Sequence, residues 1–326
     1  MEKKAYLDEL RVFATFCVIV LHVSAGNWGY ISVNTNEWIV LTIFNSLVRF
    51  SAPIFVMISG ALFLNENYDF SLEKLFKKNI LKIITAFAFW STFYALLSYE
   101  NPVNFVKSII SGHFHMWFLY MIVGLYLALP ILRKIAENRQ IMLYFLILSF
   151  VFVYIFRFLS IFNGFSYVID VINQKSSINL FLGYSSYFLT GHFLDTQTVN
   201  KKNIYTLGVA SMFFTIFATI VLSKNTGVPS SEFFSYFMPN VYFSSVFIFV
   251  LFKNKVKRVD ISKIVQLSFG VYLIHPYVNS LIYNYITTSN MHPIYSVILI
   301  SCVSFILSNL IIFMISKVQI LNKYII

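Results

Sequence analysis

The chain has 326 residues, 58% of them hydrophobic and only 11% charged, with a mean hydropathy of +0.75. A water-soluble domain carries about 25% charged residues, so there is too little polar surface here to coat a globule, and an ordinary soluble enzyme is excluded. The formal charge of +11, which would suggest nucleic acid in a soluble protein, here suits loops lying against an anionic leaflet, and no nucleic-acid partner is expected.

Apolar segments of spanning length recur along the chain with short loops between them. They predict an all-α, polytopic integral membrane protein of about ten transmembrane helices, forming a single domain over 1–326 with no soluble accessory domain and with the lipid bilayer as its solvent. The predicted spans are 7–25, 38–64, 79–98, 115–132, 141–161, 178–194, 204–222, 236–252, 264–286 and 293–316. Lys3 and Lys4, an apolar run and Val23-Ser24-Ala25 have the outline of a cleaved signal peptide. Asp8, Glu9 and Arg11 interrupt that outline, and a retained first helix is the expectation.

An ionisable group at the bilayer centre costs about 2.5–3.5 kcal/mol on insertion scales, so each one is a functional candidate. The first span holds Asp8, Arg11 and His22. Eleven helical residues turn through roughly three full turns plus 20°, so Arg11 and His22 share a face about 16 Å apart. Asp8 lies one turn below Arg11 and is placed to pair with it. The plainer alternative has Asp8 and Arg11 snorkelling to the interface and His22 packing as a hydrogen-bonded residue.

The second span adds Arg49, then Ser51-Ala52-Pro53 and Ser59-Gly60, and a kink or break is expected there. Arg49 is read as an anion or carbonyl ligand, or alternatively as an interfacial arginine. Ser59-Gly60 suits close helix approach as well as it suits a site. His113 and His115 open the fourth span, with Trp117 and Tyr120 after them. An i, i+2 pair does not share a helix face, so no metal site is expected, and for the two aromatics an interfacial belt is the alternative. In the ninth span His275 lies near mid-membrane, and Pro276 frees a nearby backbone carbonyl. His192 and His292 are unremarkable. Cys17 and Cys302 sit in apolar runs and indicate no disulfide or thiol site. The chain contains no phosphate-binding loop, HExxH or GxSxG motif.

With the N-terminus inside, eighteen basic residues fall in cytoplasmic segments: Lys3 and Lys4; Lys74, Lys77, Lys78 and Lys82; Arg133, Lys134 and Arg139; Lys201 and Lys202; Lys253, Lys255, Lys257, Arg258 and Lys263; Lys317 and Lys323. Only Lys107, Lys175 and Lys224 fall outside. That alternation predicts a multi-pass protein of the cell membrane with both termini cytoplasmic.

Four segments in this order resemble the membrane acyltransferase-3 family: Arg11-x10-His22, Pro53-Ile-Phe-Val-Met-Ile-Ser59-Gly60, His115-Met-Trp117-Phe-Leu-Tyr120 and Tyr272-Leu-Ile-His275-Pro276. The resemblance spans essentially the whole chain. It implies ten helices and an O-acyltransferase that moves an acyl group, usually acetyl from acetyl-CoA, to a hydroxyl of a cell-surface or lipid-linked glycan. It also implies His22 as the catalytic residue and Arg11 as its partner. With Asp8 and Arg49, the family-motif residues Ser59, His115, Trp117, Tyr120 and His275 are then expected to bind substrate or donor. Acetyl-CoA or another acyl-CoA would be a co-substrate, with no bound cofactor and no metal. Many members carry a fused extracytoplasmic domain; none is expected here, which leaves room for a separate extracytoplasmic transferase as partner.

Chemistry agrees with that implication. A hydroxyl is a poor nucleophile at neutral pH, and a histidine can take its proton or accept the acyl group itself. Arg11 and the basic inner loops suit the phosphates of a cytoplasmic donor. The rival reading is a transporter or flippase for a polysaccharide or lipid-linked sugar, since buried Arg, His and Asp suit ion coupling as well. Such transporters often show two related halves, and no internal symmetry is visible here.

Overall fold

A computed structural model of the chain describes residues 4–255, 261–285 and 291–325. Lys3, Lys257, Arg258 and Ile286, which figure in the predicted loops and spans, lie outside the described residues. Among the described residues the fold is helical without a strand: α1 Ala5–Ala25, α2 Asn36–Leu47, α3 Ser51–Phe63, α4 Leu72–Leu97, α5 Pro102–Ser111, α6 Trp117–Leu127, α7 Leu129–Glu137, α8 Arg139–Leu159, α9 Asn163–Ser176, α10 Ile178–Thr196, α11 Lys201–Thr226, α12 Pro239–Lys255, α13 Ser262–Tyr285, α14 Pro293–Ser316 and α15 Gln319–Tyr324.

Seven helical stretches among the described residues are long and apolar enough to cross a membrane: Asn36–Phe63, Leu72–Leu97, Pro102–Leu127, Arg139–Leu159, Lys201–Thr226, Glu232–Asn254 and Pro293–Ser316. The three other predicted spans are helices of 21, 19 and 24 residues, namely α1, α10 and α13. These three carry more of the polar side chains, Asp8, Glu9 and Arg11 in α1 among them.

The packing is inverted relative to a soluble protein. Along α11 the buried residues are Gly208, Ser211, Thr215, Thr219 and Ser223, at helical spacing, while Phe213 and Phe217 point outward. Along α14, Ser301, Ser304 and Ser308 are buried and Ile306, Leu310 and Phe313 are exposed. Small residues inside and large apolar ones outside are what helices need when the solvent is lipid and backbones gain by approaching closely. Together these features describe a multi-pass membrane protein.

Two helices approach so closely that only glycine fits. A Cβ on Gly60 of α3 would sit 1.8 Å from the Phe188 carbonyl oxygen, and one on Gly191 of α10 would sit 2.0 Å from that of Met57. The packing role considered for Gly60 is therefore what the structure has. Its neighbour Ser59 satisfies its hydroxyl on the Phe55 carbonyl at 2.9 Å.

The second span is broken, as Arg49, Pro53 and Gly60 suggest. Residues 48–50 separate α2 from α3, and Thr35 caps α2 by accepting from the Trp38 backbone N–H at 3.2 Å. The fourth differs from its prediction. The helical stretch begins at Pro102, not 115, because Asn101 caps it and Pro102 occupies its first turn. It then breaks at Gly112, whose φ of +69° lies in the left-handed region that glycine adopts without strain. His113 and His115 consequently sit on that break and not on a regular helix, so the expectation that an i, i+2 pair points apart does not hold. The amphipathic α5 and α9, and the short α15, were not anticipated as elements.

Candidate functional site

α1 runs through the middle of the bundle, packed against α2, α3, α13 and α14. Near its C-terminal end it carries His22, partly exposed, and opposite on α13 stands His275, fully buried. The Tyr283 hydroxyl ties the two helices by donating to the Val23 carbonyl at 2.8 Å.

The His22 Nδ1 and His275 Nε2 atoms are 2.6 Å apart. The ring centroids are 4.9 Å apart and the planes differ by 8°. That separation is what two imidazoles reach when joined nitrogen to nitrogen in one plane, so the contact is a straight hydrogen bond and not a face-to-face stack.

The protons on this pair follow from the backbone. Pro276 has no N–H, so the carbonyl four residues earlier, Tyr272, has no helical donor. The His275 Nδ1–H takes its place, donating to the Tyr272 carbonyl at 2.7 Å. A carbonyl only accepts, so neutral His275 carries its proton on Nδ1 and presents a lone pair on Nε2. His22 must then donate from Nδ1–H to His275, which leaves Nε2 of His22 unprotonated. Pro276 thus sets, through two rings, the nitrogen of His22 that can take a proton.

Two more histidines complete the cluster. His115 is 1% exposed, its ring 5.6 Å from that of His275 and 6.4 Å from that of His22. Its Nδ1 meets His113 Nδ1 at 2.9 Å, and its Nε2 is buried without a hydrogen-bond partner. His113 stacks on Tyr94 at 4.1 Å, and the Tyr94 hydroxyl donates to the Leu273 carbonyl at 2.8 Å. The Tyr272 hydroxyl donates to the His115 carbonyl, tying the α5–α6 break to α13. His113, Tyr94 and Tyr272 were not among the predicted site residues. Tyr272 was visible as part of a motif, whereas nothing in the sequence brings residues 94 and 113 to 275.

Toward the other end of α1 lies a cavity of about 630 Å³. Arg11 and Ser59 line it, with Lys78, Asn79 and Lys82 of α4, Tyr126 of α6, Gln266 and Ser268 of α13, and Asn322 of α15. A wider, π-type turn over Leu75–Ile80 carries Lys78 and Asn79. Its lining continues to Phe118 and Tyr272, whose rings are 5.8 Å apart, and the Tyr272 ring lies 6.0 Å from that of His275. Tyr272 therefore stands between a basic cavity and the histidines.

The remaining predicted residues are dispersed. Arg49 lies toward the His22 end of α1: its Nη2 donates to Asn45 Oδ1 and its guanidinium sits 4.1 Å over the Phe234 ring, which packs at 5.2 Å on Trp28, six residues beyond His22. Trp117 stacks on Tyr236 at 5.6 Å and leans on Tyr184 at 5.8 Å. Tyr120 is not in the cluster: its hydroxyl donates to the Ile110 carbonyl and its ring packs on Phe87. Asp8 sits in the first turn of α1 and does not line the cavity.

A family model described as an acyltransferase domain matches residues 4–313. No curated protein and no solved structure matches the chain.

Proposed function

The chain belongs to the acyltransferase-3 family, and on that premise we propose that it transfers an acetyl group from cytoplasmic acetyl-CoA to a hydroxyl of a cell-surface or lipid-linked glycan. Donor and acceptor meet at His22. The single observation that carries this reading is the hydrogen-bonded line from the Tyr272 carbonyl through His275 to His22, which leaves the half-buried His22 with a lone pair on Nε2.

The end of the bundle bearing Lys78, Lys82 and Lys323 is cytoplasmic in this account, as the eighteen-to-three division of basic loop residues supports. Arg11, Lys78 and Lys82 then face the donor's phosphates, Arg11 with a fork that grips two oxygens at once. From Arg11 to His22 the helix rises about 16 Å, a length suited to the extended arm joining the nucleotide to the thioester. Phe118 and Tyr272, in edge-to-face contact, close the inner end of the cavity, and the arm displaces one of these rings to bring the thioester carbonyl to the histidines.

His22 Nε2 takes the proton of the acceptor hydroxyl as its oxygen attacks the thioester carbonyl. The carbon–sulfur bond breaks, and the departing thiolate takes the proton from Nε2–H, regenerating the base. His275 does not touch the reacting atoms; it positions the proton on His22 and accepts from its imidazolium. A lost general base costs about 10²-fold or more in rate.

Mass spectrometry of surface glycans from cells with and without the gene tests this function. Ester-linked acetyl groups present in the first and absent from the second are expected. Identical acylation, with the protein expressed, would exclude it.

A further inference from the structure

We propose that the acceptor is anionic, a sugar bearing a carboxylate or phosphate, and that Arg49 binds that group beside His22. The proposal rests on the acyltransferase reading for the position of the acceptor. Its evidence is separate.

Among the described residues Arg49 is a cation without an anion. Among the described residues no carboxylate lies within 4.0 Å of it. The acid nearest in sequence to its Phe234 and Tyr236 neighbours is Glu232, and Arg157 already holds Glu232 at 2.5 Å. Arg49 is half-buried with its Nε out of solvent; holding an unpaired charge there is costly, and an arginine so placed within a span marks a site that a ligand completes. The guanidinium is also held in one orientation. Nη2 donates to Asn45, the Phe234 ring covers one face, and Nε is buried without a hydrogen-bond partner. A fork with an edge unused is the geometry that takes a carboxylate or phosphate in two hydrogen bonds.

The surroundings suit a sugar. Tyr236, two residues beyond the Phe234 that covers Arg49, stacks on Trp117, which is 37% exposed and also meets Tyr184. Aromatic faces of this kind pack against the apolar faces of a pyranose while the charged group lies on the arginine. Because Arg49 sits over Phe234, which packs on Trp28 just beyond the His22 end of α1, an anion on Arg49 brings the hydroxyls of the same sugar toward the base, and it offsets the positive charge that builds on His22 as the proton arrives.

The test measures binding of 4-nitrophenyl β-glucuronide, 4-nitrophenyl β-glucoside and glucose 1-phosphate to the full chain in nanodiscs, with coenzyme A binding as the control for folding. The wild type should take at least one anionic probe about tenfold or more tighter than the neutral glucoside, in keeping with a charge-assisted hydrogen bond. The glucuronide and the phosphate arms separate a carboxylate from a phosphate source. Arg49→Gln should erase the preference, and Arg49→Lys should keep part of it, while coenzyme A still binds. Equal binding of charged and neutral sugars by the wild type would overturn the proposal, as would a preference that survives in Arg49→Gln. Loss of acyl transfer with the preference intact would instead overturn the catalytic reading and leave the anion site standing.

Discussion

Replacing His275 by phenylalanine isolates the step that positions the base. A flat aromatic ring of similar shape is kept, so α13 should still pack, but His22 Nδ1–H loses the acceptor it has at 2.6 Å. A buried donor left without a partner costs about 1–3 kcal/mol. His22 escapes that cost by moving its proton to Nε2, the tautomer that cannot take a proton from the acceptor. The competent fraction then falls by the same free energy, and kcat should drop about 10- to 100-fold. The KM for acetyl-CoA should barely change, because the cavity lined by Arg11 and Lys82 lies on the other side of Tyr272. His275→Gln, whose amide oxygen can accept from His22, should recover part of the loss. The assay is acceptor-dependent release of coenzyme A thiol from reconstituted protein at matched levels. If His275→Phe keeps kcat within a few-fold of the parent, the proton on His22 is not set by His275 and the argument from Pro276 fails.

Three further outcomes are expected. Arg11→Lys as well as Arg11→Ala should raise the KM for acetyl-CoA about tenfold, because an ammonium cannot grip phosphate in two places; an unchanged KM in Arg11→Lys would assign Arg11 to snorkelling at the interface. Gly191→Ala should destabilise the protein by about 1–3 kcal/mol, since its Cβ meets the Met57 carbonyl oxygen at 2.0 Å and α3 and α10 must part; an unchanged melting temperature in nanodiscs would contradict that packing. Reporter fusions after Lys323 should be active only in the cytoplasm and fusions within the 26–35 loop only outside, and two fusions reporting one side would refute the orientation.

Much of the fold was legible because lipid imposes length and composition on each helix. The stretch from Asn36 to Phe63 reads as apolar with Arg49 and Pro53 inside, and it forms two helices with a break between them. The carbonyl freed by Pro276 was also predictable, since the missing N–H is a local fact of the chain. What accepts that service was not: His22 and His275 are 253 residues apart, and no periodicity in either helix states that they meet. The break at Gly112 was passed over because the amphipathic helix before it, with Asn104, Lys107 and Ser108, did not read as a span and the fourth span was begun at 115, and the relation between His113 and His115 was misjudged with it. Lys78 and Lys82 entered only as members of a basic inner loop suited to the donor's phosphates, and nothing in the sequence placed them beside Arg11, with which they line the cavity. Trp117 and Tyr120 share a motif and part in space, because one faces Tyr236 and the other the carbonyl of Ile110.

The central chemical step is the transfer of the acceptor's proton to Nε2 of His22. An amide keeps hydrogen bonding and approximate size but cannot accept a proton near neutral pH. Acyl transfer by His22→Gln and His22→Asn, measured in proteoliposomes at equal protein and with coenzyme A binding retained, should fall about 10²-fold or more. Transfer within a few-fold of the parent in either variant would show that His22 is structural and that the chemistry belongs elsewhere.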